Sequence, residues 1–277
     1  MSARLRGRGF SQRYGPWALV AGASEGIGAA FATALAGRGL DLVLVARRAE
    51  PLAALAGRLP VRTVTVSADL ATAAGLAAVE EATAGLDVGL VVVNAAYSPI
   101  GPFVELTAAQ AERTLDLNCR APLLLAHRYL PPMAARGRGG FVVMSSLAGM
   151  QGAPGITAYA ATKAFGAVLA EGLWAELRPR GVDVLACVAG AVATPGLGAA
   201  MARGAPGTVD PDEVAGAALR ALGRRPRTVP GALMRVSSAL LSRVLPRRTA
   251  ISIFARASRD LAAPQAGRDS AGPAEGA

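Results

Sequence analysis

The sequence predicts an α/β protein built on a doubly wound parallel sheet, a single domain with a basic amphipathic extension at its C-terminus. Short runs that are apolar on both faces recur along the chain, helical stretches alternate with them, and a glycine-rich turn follows the first run directly. Strands buried on both faces and separated by helices belong to a parallel sheet covered on both sides. A length of 277 residues suits one large domain better than two small ones. With 52% hydrophobic and 17% charged residues, the chain can bury a sizeable core, which excludes disorder of the whole.

Trp17–Ala21 reads as a short buried strand, and Gly22-Ala-Ser-Glu-Gly-Ile-Gly28 leads it into a helix over Ala29–Ala36 that Gly37 and Gly39 end. Asp41–Ala46, Val61–Val66, Gly89–Val93, Gly140–Met144 and Val182–Val188 are the second to sixth strands. Helices occupy roughly 51–59, 72–83, 108–135 and 158–179 between them. A later helix opens at Asp210, a capping residue, with Pro211 in its first turn and Glu213 placed to reach back. Beyond it, Leu233, Val236, Leu240, Leu241, Val244 and Leu245 fall on one helical face; Pro246 interrupts the stripe, and Ile251, Ile253 and Phe254 follow. From Ala263 onward the chain is rich in Gly, Pro, Ala and Ser. The expected organisation is a basic arm over residues 1–13, the sheet domain over 14–230, the amphipathic extension over 231–262 and a disordered tail over 263–277.

The net charge of +10 is concentrated at the ends: residues 1–13 carry +4 and residues 220–277 carry +8, while residues 14–219 are slightly acidic at −2. Few aromatics accompany those arginines, so base stacking has little support and nucleic acid is not an expected partner. An anionic membrane surface or a ligand phosphate suits the charge better. Two cysteines make no disulfide scaffold, and no Cys/His cluster has zinc spacing, so no metal site is expected. Cys119 and Cys187 read as small buried hydrophobes, and His127, the single histidine, as structural. No apolar run reaches the roughly 18 residues of a spanning helix. The first thirteen residues lack the apolar region of a secretory signal, so the cytoplasm is the expected compartment.

Gly22, Gly26 and Gly28 form the pattern G-x-x-x-G-x-G, which a chain with 33 glycines produces by chance about half a time. Its position is what carries information. The turn joins the first strand to a helix, where free backbone N–H groups and the helix dipole favour a pyrophosphate. Glycine there tolerates positive φ and close backbone approach. A dinucleotide site follows, and in such a site the end of the second strand faces the adenosine ribose. An NAD-selective site places a carboxylate at that point. This chain has Ala46-Arg47-Arg48 instead, the next acid being Glu50. A guanidinium holds a 2′-phosphate through paired hydrogen bonds, so NADP(H) is the expected cofactor.

Of 29 basic residues, one is a lysine: Lys163, four residues after Tyr159 in Tyr-Ala-Ala-Thr-Lys. A lone lysine lands four residues after one of four tyrosines by chance about once in seventy. On a helix those two positions share a face. An ammonium beside a phenol stabilises the phenolate and so equips Tyr159 to exchange a proton with a carbonyl or alcohol oxygen. Ser145-Ser146 closes the fifth strand, and the carboxyl ends of such strands face the ligand crevice. A hydroxyl there can bond a substrate oxygen as negative charge develops on it.

On these motifs the chain, over roughly residues 15–215, resembles the single-domain short-chain dehydrogenase/reductases. Gly22, Gly26 and Gly28 match the family's glycine motif, and Asp69 in Ala68-Asp69-Leu70 matches its adenine contact. Asn94-Ala-Ala96 matches an Asn-Ala-Gly element with alanine in the last place. Asn118 matches the helix asparagine that holds a proton-relay water, and Ser146, Tyr159 and Lys163 match the catalytic trio. Val188–Thr194 matches a segment usually written with Pro-Gly, Ala189 replacing the proline, and Thr194 standing where the carboxamide of the nicotinamide is contacted. The resemblance implies a Rossmann fold and NADP(H) held by Gly22, Ser24, Glu25, Gly26, Ile27, Gly28, Arg47, Arg48, Asp69, Leu70, Asn94, Ala95, Tyr159, Lys163, Gly190, Val192 and Thr194. It implies hydride transfer to a carbonyl carbon, with Tyr159 protonating the oxygen, Ser146 polarising it, Lys163 orienting the nicotinamide ribose and lowering the Tyr159 pKa, and Asn118 refilling the proton. Leu147, Met150, Gln151, Pro154, Thr157 and the loop Ala191–Met201 are expected to line the substrate cleft, which is apolar enough for a hydrophobic ketone or acyl chain.

Val45-Ala46-Arg47-Arg48 and the basic C-terminal segment make the chain similar to the branch with long-chain 3-ketoacyl and ketosteroid reductases. A homodimer or homotetramer through helices 108–135 and 158–179 is a further implication of the family. Three alternatives stay open from sequence: reduction of a ketone, imine reduction or epimerisation with the same groups, and a cofactor-binding sensor or scaffold without turnover. The segment 232–259 likewise has three homes open to it: the enzyme's own core, a neighbouring subunit, or peripheral contact with an anionic membrane.

Overall fold

Side-chain alternation sorts the strand residues onto two faces, and each face has its own set of helices. The computed structural model describes residues 3–193, 208–239 and 245–262. Its strands are β1 (Trp17–Ala21), β2 (Asp41–Ala46), β3 (Thr63–Ser67), β4 (Val88–Val93), β5 (Gly139–Ser146), β6 (Val182–Ala189) and β7 (Arg227–Thr228). They form one sheet in the order β3-β2-β1-β4-β5-β6-β7, every neighbouring pair parallel. The order reverses between β1 and β4, and at that switch point the crevice opens beyond the strands' carboxyl ends. The described helices are α1 (Ala3–Tyr14), α2 (Gly26–Ala36), α3 (Ala49–Ala56), α4 (Ala73–Ala82), α5 (Ala108–Leu115), α6 (Ala121–Ala135), α7 (Thr157–Leu177), α8 (Pro211–Ala221), α9 (Ala232–Ala239) and α10 (Arg247–Ala262).

Val20, Leu42, Leu44, Val92 and Val142 point to one face and pack with Phe31 and Leu35 of α2, Leu52 of α3 and Val214 of α8. Leu19, Val43, Val91, Phe141 and Val184 point to the other and pack with Val79 of α4, Leu125 and Met133 of α6, and Ala167 of α7. Each large side chain buried this way contributes about 1.5–3 kcal/mol. Because both of their faces are covered, β1, β2, β4, β5 and β6 read as largely apolar runs, which is why they were visible in the sequence.

The structure departs from the sequence reading in four places. Residues 108–135 do not form one helix: a π-helical turn, Asp116–Arg120, separates α5 from α6. The apolar spacing runs through it unbroken, so the changed hydrogen-bond register left no trace in the pattern. The third strand starts at Thr63, while Val61 packs against the core as a loop residue. The N-terminal arm is helical as α1, and it is fastened to the body. Tyr14, 4% exposed, donates a 2.6 Å hydrogen bond to the buried Asp183 carboxylate, and Arg13 pairs with the same oxygen at 2.6 Å. Finally, the C-terminal stripe is split. Met234 and Ser238 of α9 face the body, whereas Leu233 (54%) and Val236 (68%) are exposed. Leu240, Leu241 and Val244 lie outside the described residues, as does the tail from residue 263.

Candidate active site

The glycine turn is shaped by contacts that no side chain would permit. Gly22 has φ +87°, and a Cβ there would lie 2.6 Å from the Ala95 nitrogen. A Cβ on Gly28 would collide with the Gly22 carbonyl, the same oxygen that accepts a 2.8 Å hydrogen bond from Asn94 Nδ2. Asn94 therefore holds the end of β4 against the turn. The N-cap of α2, Glu25, makes no side-chain capping bond, so the first-turn amides stay available to an anion. Gly22, Ser24, Glu25, Gly26, Ile27, Arg47, Asp69, Leu70, Asn94 and Ala95 all line one cleft of about 310 Å³. Its size, glycine floor and uncapped helix end fit the pyrophosphate and adenosine of a nicotinamide dinucleotide.

The two arginines after β2 are used differently. Arg47 lines the cleft. Arg48 pairs with Glu25 at 2.6 Å on the exposed rim and so ties the second strand's end to the glycine turn. Asp69 accepts from the Ala71 amide at 3.1 Å and from Arg113 Nη2 of α5 at 2.8 Å. Burial raises its carboxyl pKa, and the bonds from Arg113 and Ala71 outweigh that, holding it below the usual range. Arg113 also lies over the Tyr97 ring, 5.6 Å from its centroid.

Ser146 ends β5, and Tyr159 and Lys163 occupy successive turns of α7. Burial pushes the Tyr159 phenol above its ordinary value, and a hydrogen bond with Ser146 draws it back. Lys163 is buried, donates to the Met144 carbonyl at 2.9 Å, and is brought down to about 8 by that burial. Its ammonium lies 5.4 Å from the Tyr159 ring centroid, over the ring.

Asn118 sits in the π turn, and its amide is fully engaged. Oδ1 accepts from the Tyr97 amide at 2.8 Å, and Nδ2 donates to the Tyr97 carbonyl at 2.8 Å and to Thr162 Oγ1 at 3.0 Å. Thr162 in turn donates to the Tyr159 carbonyl at 2.7 Å. Ser145 donates to the Lys163 carbonyl at 2.7 Å. The strand that ends in Ser146 and the helix that carries Tyr159 and Lys163 are thus stitched together. Thr162, Ser145, Tyr97 and Arg113 were not singled out from sequence. Thr162 had a signal, its position three after Tyr159; Arg113, 44 residues from Asp69, had none.

Leu147 is buried behind Ser146, and Gln151 spends its amide on the Leu147 carbonyl at 3.1 Å. Pro154 and Thr157 are exposed at the entry to α7. Gly190, directly after β6, lies so close to α9 that a Cβ would be 2.6 Å from Met234 Sδ, and Val192 bridges to Val209. Thr194 and the loop residues 194–207 lie outside the described residues. The C-terminal helices close on the segment after Ser146. Ser238 contacts Met150 Sδ at 3.1 Å, Arg247 donates to the Met150 carbonyl at 3.1 Å, and Ile251 of α10 covers Gly152.

Known proteins with this sequence pattern agree. The profile of the short chain dehydrogenase family matches residues 16–203. A 7beta-hydroxysteroid dehydrogenase of Clostridium sardiniense is 35% identical over 190 residues, 67% of this chain and 73% of that protein. A very-long-chain 3-oxoacyl-CoA reductase of Danio rerio is 33% identical over 178 residues, 61% of this chain and 57% of that protein. Among solved structures, a 7beta-hydroxysteroid dehydrogenase superposes with a TM-score of 0.82 at 28% identity, covering 88% of this chain and 98% of the other. A short-chain dehydrogenase from Sphingobium yanoikuyae, solved with NADPH, gives 0.72 at 34% identity over 92% and 99%. A match that extends from β1 to beyond β6 places the chain in the short chain dehydrogenase family, a nicotinamide-dependent oxidoreductase acting on hydroxyl or carbonyl groups.

Proposed function

We propose that the protein is an NADPH-dependent reductase of ketones in which Tyr159 is the proton donor. The observation that carries this reading is the convergence of three groups: Ser146 at the carboxyl end of β5, Tyr159 on the facing helix α7, and buried Lys163 one turn further along α7 with its ammonium 5.4 Å from the Tyr159 ring centroid. When bound, the reduced nicotinamide supplies the hydride. Ser146 binds the substrate oxygen and favours the negative charge that grows there, while Tyr159 gives that oxygen its proton. Asn118 keeps Tyr159 in position through Thr162, and Lys163 anchors α7 to β5 through Met144. Most of the rate then comes from holding the carbonyl in place among preorganised dipoles.

Arg47 in the cleft, with no carboxylate at the end of β2, supports NADP(H) over NAD(H). The wall built by Leu147, Met150, Met234 and Ile251 supports an apolar ketone. The relatives point the same way: their names refer to hydroxysteroids and very-long-chain 3-oxoacyl-CoA, and a structural neighbour from Comamonas testosteroni, of TM-score 0.68, is described as specific for bulky-bulky ketones. Exposed Leu115, Leu123, Leu124 and Phe165 on α5, α6 and α7 support a homo-oligomer in which those helices pack against their copies. No described helix is long and apolar enough to cross a membrane. A cytoplasmic enzyme is the reading we adopt.

The test is NADPH oxidation by purified protein on 3-ketoacyl thioesters, ketosteroids and bulky aromatic ketones, with Tyr159→Phe in parallel. Turnover in one class is expected, reduced by at least about a hundredfold in the variant. NADPH bound tightly with no ketone reduced, or equal rates in the two proteins, would contradict the reading.

A further inference from the structure

A second pocket, of about 640 Å³, lies beside the catalytic serine, between α7, β7 and α9. After α8 the chain passes through Arg225-Pro226-Arg227-Thr228-Val229, of which Arg227–Thr228 is β7, and so brings Arg225, Arg227 and Val229 toward α7 and α9. All three line the pocket. Arg235 joins them from α9, whose inward residues Met234 and Ser238 fix that helix on the body. Three guanidinium groups therefore share one pocket whose lining contains no carboxylate. Glu171 of α7 answers one of them, its Oε1 lying 2.8 Å from Arg227 Nε but off the hydrogen-bonding line. Arg225 and Arg235 have no carboxylate partner among the described residues.

Like charges gathered in a concavity raise its potential and attract an anion, and guanidinium forks match carboxylate and phosphate oxygens. Most of the remaining wall is apolar, with Val168, Val188 and Val229 and with Met150 on the side of Ser146, while Ser145, Thr228 and Ser238 add hydroxyl groups. Ser146, at the carboxyl end of β5, is also part of the lining. A ligand filling this space has an apolar body that reaches the catalytic serine and a negative group among the arginines.

We propose that this pocket is an anion subsite, held by Arg225 and Arg235, and that the ketone reduced at Ser146 and Tyr159 carries a carboxylate or phosphate on an apolar body. The second half rests on the reductase reading; the first half does not.

The experiment has a binding arm and a kinetic arm, so that the two can fail separately. Octyl phosphate, octanol and inorganic phosphate are titrated into the full chain by calorimetry, for wild type and for Arg225→Ala with Arg235→Ala. Octyl phosphate is expected to bind at least about tenfold more tightly than either of the others, to weaken with added salt, and to lose at least about tenfold in the double variant while NADPH affinity and thermal stability hold. In the kinetic arm, the double variant is expected to raise KM for 9-oxodecanoate at least about tenfold more than for its methyl ester. Unchanged octyl phosphate binding in the variant overturns the subsite, and so does equal binding of octanol. A double variant that changes sedimentation but not octyl phosphate binding also overturns it and assigns the arginines to subunit contact. Octyl phosphate binding lost as expected, with neither ketone turned over by wild type, upholds the subsite and counts against the reductase reading alone.

Discussion

Lys163 shows how function and stability compete at a single residue. Its ammonium is buried among apolar neighbours, and that burial brings its pKa down to about 8 from the ordinary lysine value. Keeping the charge inside costs about 3 kcal/mol at neutral pH, partly offset by the bond to the Met144 carbonyl. Because the folded value lies below the unfolded one, the cost is full at pH 7 and shrinks as the native amine sheds its proton above pH 8. Lys163→Met is therefore expected to abolish turnover yet stabilise the fold by about 1–3 kcal/mol at pH 7. Urea unfolding at pH 7 and 9.5 checks this, and the gain should be smaller at the higher pH. At the other end of the cleft, Arg113 acts through Asp69 and is a positioning residue. Arg113→Leu should weaken binding of adenosine 2′,5′-bisphosphate by roughly tenfold, with Arg113→Lys recovering part of the loss, as read by calorimetry. The sequence disclosed Tyr159 and Lys163 because one helical turn fixes their relation. It disclosed Asp69 without Arg113 because that pairing depends on how α5 crosses the sheet.

The elements were legible to the degree that burial governs their pattern. β1, β2 and β4 are covered on both faces, and their apolar runs announced them with nearly correct bounds. The π turn at Asn118 changes backbone register without changing which residues are apolar, so periodicity passed over it. Helix α1 was read as an arm because its sequence is polar and arginine-rich. What fixes it is a long-range contact: Tyr14 and Arg13 both engage Asp183, 169 residues from the tyrosine. Tyr14→Phe removes a donor from a buried carboxylate that keeps Arg13. Stability is expected to fall by about 1–3 kcal/mol in urea unfolding, with NADPH affinity unchanged, since the latch lies at the opposite end of the strands from the cleft. The split of the C-terminal stripe was equally hidden. Helical spacing groups Leu233 with Val236, but only the fold shows that Met234 and Ser238 are the anchoring side.

At the scale of the whole molecule, a slightly acidic sheet domain carries basic segments at both ends, and the C-terminal one turns back on the segment after Ser146. That return places arginines beside the reaction site, where net charge alone had suggested a surface partner. The uncovered apolar faces of α6 and α7 set a separate expectation. Leu123→Glu combined with Phe165→Glu should leave the circular dichroism spectrum intact and shift sedimentation to the monomer. The central claim is that Ser146, Tyr159 and Lys163 reduce a ketone with hydride from NADPH. Its most direct test follows deuterium from cofactor labelled at the transferring position into the alcohol product, in wild type and Tyr159→Phe. One deuterium on the carbinol carbon, formed by wild type and reduced at least about a hundredfold in the variant, is the expected result. Bound NADPH that transfers no label to any ketone, or transfers it equally well without the Tyr159 hydroxyl, would contradict it.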